Sequence, residues 1–167
     1  MNTTPTPHIR LVGESAASPS SVYDLLADLR SHLDWAGDKQ APDFRLVSID
    51  APKGPAATGT RFTSTGTIPM SGHRWRDESV VTEAVSSSLF ELLTDAHAGD
   101  TVARYRHRYE IAPSAHGSRV TYTMTQECIE RPMWRLGLPV MRTMTWRFAI
   151  PMFAGRDFRN LLAAAAN

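Results

Sequence analysis

The chain has 167 residues, of which 42% are hydrophobic and 21% charged, with 18 Lys+Arg against 17 Asp+Glu and a formal net charge of +1. One domain's length with this much apolar residue can bury a core, which excludes a disordered chain. The near-neutral balance argues against a protein built to track phosphate backbones. The single cysteine, Cys128, excludes an intramolecular disulfide and a cysteine-rich metal site, and suits a reducing, cytoplasmic setting.

Residues 1–7 are polar and proline-containing, lack the basic-then-apolar order of a secretory signal, and are expected to be disordered. Residues 8–15 alternate Ile9, Leu11 and Gly13 against Arg10, Val12 and Glu14, which predicts a strand. Ser18-Pro19 is a helix start, with serine as cap and proline at the first helical position. Val22, Leu25, Leu26 and Leu29 then share one helical face, and a second short helix is expected over 31–36.

From there the period changes from 3.6 to 2. Strands are expected over 44–50, 59–68, 74–85, 88–97, 101–111 and 119–130, separated by short segments rich in Gly, Pro, Ser and Asp. Short connections imply an antiparallel meander, and no helices intervene to build a parallel sheet. After residue 132 the period returns to helical. Leu136, Val140, Met141, Met144, Phe148, Met152 and Phe153 form an apolar stripe that Phe158, Leu161 and Leu162 extend. Pro139 and Pro151 should kink or break it. Arg142 and Arg147 interrupt the apolar run, at ~2.5–3.5 kcal/mol each on insertion scales, so stable membrane insertion is not expected. The whole chain, 1–167, reads as a single α+β domain: a seven-stranded antiparallel sheet curved around a long C-terminal helical segment, 132–166.

Alternation also assigns an inner face. Val120, Tyr122, Met124, Gln126 and Cys128 oppose Thr121, Thr123, Thr125 and Glu127. Tyr105, His107 and Tyr109 oppose Arg104, Arg106 and Arg108. Trp75, Asp77, Ser79 and Val81 are assigned inward on the 74–85 strand. Placed polar groups among apolar walls are the composition of a small-molecule pocket, although such groups can also complete a core by bonding to one another. Its expected lining is Trp75, Tyr105, His107, Tyr109, Tyr122, Met124, Gln126, Met144, Phe148 and Met152, with Cys128 as a further wall position. His107, Asp77 and Tyr109 are the candidate catalytic groups; Asp77 could orient the imidazole if the two are neighbours. The interleaved arginines and aromatics at 104–109 point to opposite faces, so a strand cannot offer both to one nucleic-acid chain. The six histidines (8, 32, 73, 97, 107, 116) have no metal-binding spacing, and no phosphate- or dinucleotide-binding glycine motif occurs, so no metal or cofactor is expected.

Three groups of residues carry a family resemblance: the segment 18–28 with Trp35 downstream, Arg74-Trp75 opening a strand with Val80-Val81, and Gly117-Ser118-Arg119-Val120-Thr121-Tyr122 entering the last strand. With the ending Phe158-Arg159-Asn160-Leu161-Leu162, their order over about residues 8–163 resembles the START-like (SRPBCC) helix-grip superfamily, the polyketide cyclase/dehydrase and lipid-transport proteins. The resemblance implies a helix-grip fold and a lipid-like, aromatic or polyketide-like ligand held between sheet and helix. It leaves open a binding protein without chemistry, a cyclase or aromatase using His107, Tyr105, Tyr109 and Tyr122, and a partner-binding or homodimeric module using the Met- and Trp-rich C-terminal segment. With few lysines (only Lys39 and Lys53) and many alanines, the composition suggests a bacterial source.

Overall fold

The computed structural model describes residues 8–36, 45–67, 74–99, 101–130, 147–148 and 150–167. Strand β1 (His8–Ser15) is followed by helix α1 (Pro19–Ala27), a 3-10 turn (Leu29–Ser31) and a one-turn helix α2 (His32–Trp35). Strands β2 (Arg45–Asp50), β3 (Arg61–Thr67), β4 (Arg74–Val85), β5 (Leu89–Ala98), β6 (Thr101–Ser114) and β7 (Gly117–Glu130) come next, then helix α3 (Ile150–Ala165). The strands form one curved antiparallel sheet in the order β1-β7-β6-β5-β4-β3-β2, an α+β helix-grip architecture.

Local chemistry explains the elements. Ser18 caps α1, its hydroxyl accepting from the Ser21 amide, and Pro19 sits where a missing N–H costs nothing. The buried face of α1 is Val22, Leu26 and Ala27, and Leu29 continues it. This stripe packs on the concave side of the sheet, where Phe90, Val81 and Val120 are fully buried, with the Tyr23 ring edge-on to Phe90 at 6.1 Å. Helix α3 closes the same side with Phe158 and Leu161. Gly13 makes that approach possible: a Cβ there would stand 2.5 Å from Leu162 Cδ1 and 3.0 Å from Phe158 Cε1. The Ser15 hydroxyl donates to the Leu162 carbonyl at 2.8 Å, and the Asn160 amide donates to the Trp35 carbonyl at 3.1 Å. These two bonds fix α3 against β1 and α2.

Two expectations need correction. The break expected between the 101–111 and 119–130 strands is narrower, because β6 runs on to Ser114, β7 starts at Gly117, and Pro113 pairs with Ser118. Proline is tolerated there because the Ile111 amide makes the last bond on the β5 side, donating to the Ser88 carbonyl at 2.8 Å, so beyond Ile111 β6 is locally an edge. Cys128 is exposed and does not line the interior. A bulge shifts the register, so that Tyr105 pairs with Gln126 and Arg104 with Cys128, leaving Glu127 extra. Cys128 therefore shares the outer face with Arg104.

The outer face carries the charges. Arg104 meets Asp95 at 2.7 Å, Arg106 meets Glu127 at 2.7 Å and Glu91 at 2.6 Å, and Arg108 meets Glu91 at 3.0 Å. Burial pushes the Glu91 carboxyl up, but hydrogen bonds from Thr82, Arg108 and Arg106 outweigh it and hold it below its ordinary value.

Pro151 lies in the first turn of α3, where its ring does not interrupt the helix. The segment 132–146, with Pro139 and Met144, lies outside the described residues, as do residues 1–7.

Candidate ligand-binding cleft

Between the concave sheet and α3 lies a cleft of about 320 Å³. The sheet supplies its floor through positions on β2 to β7, α2 closes one side with His32 and Trp35, and α3 contributes Ile150, Phe153, Ala154, Asp157 and Phe158. The α3 positions are spaced by three and four residues, so they form one helical face.

The floor has two chemically distinct regions. On β6 and β7, Tyr109 and Tyr122 are register partners, and their rings stack at 4.7 Å. Tyr122 also faces Phe158 at 6.1 Å. The Tyr122 hydroxyl and His107 Nδ1 are hydrogen-bonded at 2.8 Å. Burial pushes the Tyr109 and Tyr122 phenols above their ordinary value, so both remain protonated at neutral pH. Burial pushes His107 down to about 4, helped by nearby His32, so its imidazole is neutral. Burial likewise pushes His32 down to about 4, against a hydrogen bond from Nε2 to the Leu26 carbonyl at 2.9 Å.

On β3 to β5 the floor sets polar groups among Phe62, Trp75 and Leu92. Ser79 and Thr94 are hydrogen-bonded at 2.9 Å, and Ser64 pairs in register with Asp77. Burial pushes the half-buried Asp77 carboxyl up to about 7, against a hydrogen bond from Ser64. Asp157 is also raised by burial, though Arg156 donates twice to its Oδ1 at 3.0 and 2.8 Å.

Of the residues expected from sequence, Trp75, Asp77, His107, Tyr109, Tyr122 and Met124 line the cleft. Tyr105 and Gln126 lie beside it, with the Gln126 amide donating to the Tyr105 hydroxyl at 3.3 Å. Phe148 and Met152 are 63% and 61% exposed and lie outside the lining. For Met152 the reason is helical phase: steps of four residues advance about 40° each around a helix, so a stripe extended by fours walks off the face that holds Ala154 and Phe158. Asp77 does not orient His107. Asp77 pairs with Ala96 and Ala96 with Ala103, four residues from His107 on β6, which separates the two by roughly 16 Å across the sheet.

Sequence reading missed His32, Trp35 and Asp157. The α2 turn is too short for periodicity to reveal a face. Asp157, by contrast, falls four residues after Phe153 and was legible as an inward position. Among the described residues, no cluster of His, Cys, Asp or Glu could hold a metal ion, and no helix is long and apolar enough to cross a membrane.

Comparison with solved structures finds the same fold in several bacterial proteins. A protein from Chromobacterium violaceum aligns with TM-score 0.68 and 14% identity, covering 96% of this chain and 98% of that one. One from Rhizobium leguminosarum aligns with TM-score 0.69 and 10% identity, covering 96% of each chain. One from Thermus thermophilus aligns with TM-score 0.61 and 19% identity, covering 95% of this chain and 99% of that one. No curated protein matches the sequence. The sequence profile of one family spans residues 6–163, nearly the whole sheet-and-helix unit that forms the cleft, and the chain therefore belongs to the polyketide cyclase/dehydrase and lipid transport family.

Proposed function

We propose that the chain binds a hydrophobic small molecule, lipid-like, aromatic or polyketide-like, in the cleft between the sheet and α3. The observation that carries this reading is the cleft itself. About 320 Å³ is lined by aromatic and aliphatic walls, with a few fixed hydrogen-bonding groups on its floor. Membership of the family supports the same class of ligand. The test is titration with a naphthalene-based fluorescent probe, with native mass spectrometry to count what is bound. One equivalent should bind saturably, and Ala154→Trp, which places an indole in the cleft, should abolish it. Failure to saturate, or binding indifferent to that substitution, would overturn the reading.

A second reading, a cyclase- or aromatase-type enzyme in the same cleft, is favoured by the His107–Tyr122 contact. A neutral imidazole bonded to a protonated phenol can accept one proton and supply another, which enolisation and dehydration of a polyketone require. In that case His107→Ala lowers turnover of a polyketone far more than it lowers affinity; an equal loss of both would assign the histidine a structural role.

A further inference from the structure

At neutral pH the described lining of the cleft can carry negative charge only. It holds two carboxyl groups, Asp77 and Asp157, two neutral histidines, and no lysine or arginine. Asp157 is bonded to the neighbouring Arg156. Asp77 has no ion pair among the described residues, and its hydrogen-bonding neighbour is the neutral Ser64. The arginines of β6 that could have served it point to the opposite face, where Asp95, Glu91 and Glu127 engage them.

A carboxyl facing an apolar cleft without a cation is costly, and the fold has no evident need of one here. The adjacent rung of the floor is completed by neutral hydroxyls, Ser79 and Thr94. Trp75 stands two residues before Asp77 on the same face of β4, and Phe62 lines the same region from β3. A carboxylate beside aromatic rings is the chemistry that receives an ammonium group, by charge-assisted hydrogen bonds and by attraction to the ring faces. An anionic head group would meet Asp77 instead, with no cation among the described lining residues to receive it.

We infer that the cleft selects ligands carrying a protonated amine on an apolar, aromatic body, with Asp77 as the counter-charge and the Ser64 hydroxyl beside it. This rests on the cleft being the ligand site proposed above. The raised Asp77 value fits the assignment: near pH 7 the empty site holds a partly protonated carboxyl, and an arriving ammonium favours the carboxylate and displaces that proton. The Tyr105 phenol on β6 is the titratable neighbour that senses Asp77, and burial keeps it protonated.

The experiment compares three molecules of one skeleton: 2-(1-naphthyl)ethylamine, 2-(1-naphthyl)ethanol and 1-naphthylacetate. The amine should bind at least about tenfold more tightly than the alcohol, the fold-change expected of one hydrogen bond to a charged group, and the acetate most weakly. Asp77→Asn should collapse the amine-to-alcohol ratio to near one. Should that variant fold poorly, calorimetry on the unmodified protein in two buffers of different ionisation enthalpy reads the same interaction, because amine binding at pH 7 should release protons and alcohol binding should not. If the alcohol binds in the cleft and the amine gains nothing, or the acetate is preferred, the amine assignment falls while the ligand site stands. If none of the three binds, both fall.

Discussion

At the scale of single residues, inward groups are held uncharged by burial and outward ones are held charged by partners. Asp77 is the clearest inward case. Its unfolded value near 3.8 rises to about 7 in the fold, so between those values the native state keeps a proton that the unfolded chain loses. Stability from this group is therefore fullest in acid and falls as pH rises toward 7. Asparagine does not titrate, so Asp77→Asn should gain stability relative to the unsubstituted protein on going from pH 4 to pH 8. The shift is on the order of 2–4 kcal/mol and is readable by urea unfolding at the two pH values. A constant difference across that range would show that the carboxyl is not desolvated. Such a stability cost at a cleft residue is what a group retained for binding would impose.

At the scale of elements, the position of α3 depends on a missing side chain. Gly13 lets Phe158 and Leu162 lie directly on β1. A single methyl there could be accommodated by turning Leu162, but a branched side chain could not. Gly13→Val should cost about 1–3 kcal/mol by overpacking, with faster amide exchange across α3 than in the sheet centre. Unchanged exchange in α3 would mean that β1 and not the helix absorbs the substitution. The register devices act at the same scale. The bulge at Glu127 sends Cys128 outward, and Gly117, at φ +138°, permits the tight β6–β7 turn that a side chain would crowd against β1.

At the scale of the whole molecule, the cleft spans elements from both ends of the chain, so a bound ligand bridges α2, α3 and the sheet. A molecule that binds the folded state alone should stabilise it by about 2.7 kcal/mol at one hundred times its Kd. The thermal midpoint should rise accordingly with the naphthyl probe, and should not rise in Ala154→Trp. A rise in that variant too would locate the probe elsewhere.

The seven strands, their antiparallel order and the capped first helix were legible because each is written in local signals: period-2 alternation, turn residues, and Ser18 before Pro19. The inward assignment of Trp75, Tyr109, Tyr122 and Met124 followed from the same alternation, because successive side chains of a strand must take opposite faces. Sequence by itself thus determined the sheet, its faces, and the sorting of arginine outward and tyrosine and histidine inward. Only the tertiary structure decided which inward residues meet across strands. Cross-strand register, bulges and helix phase depend on contacts between segments far apart in the chain, and they are what separate Asp77 from His107, bond His107 to Tyr122, turn Cys128 and Met152 outward, and bring His32 and Asp157 into one cleft.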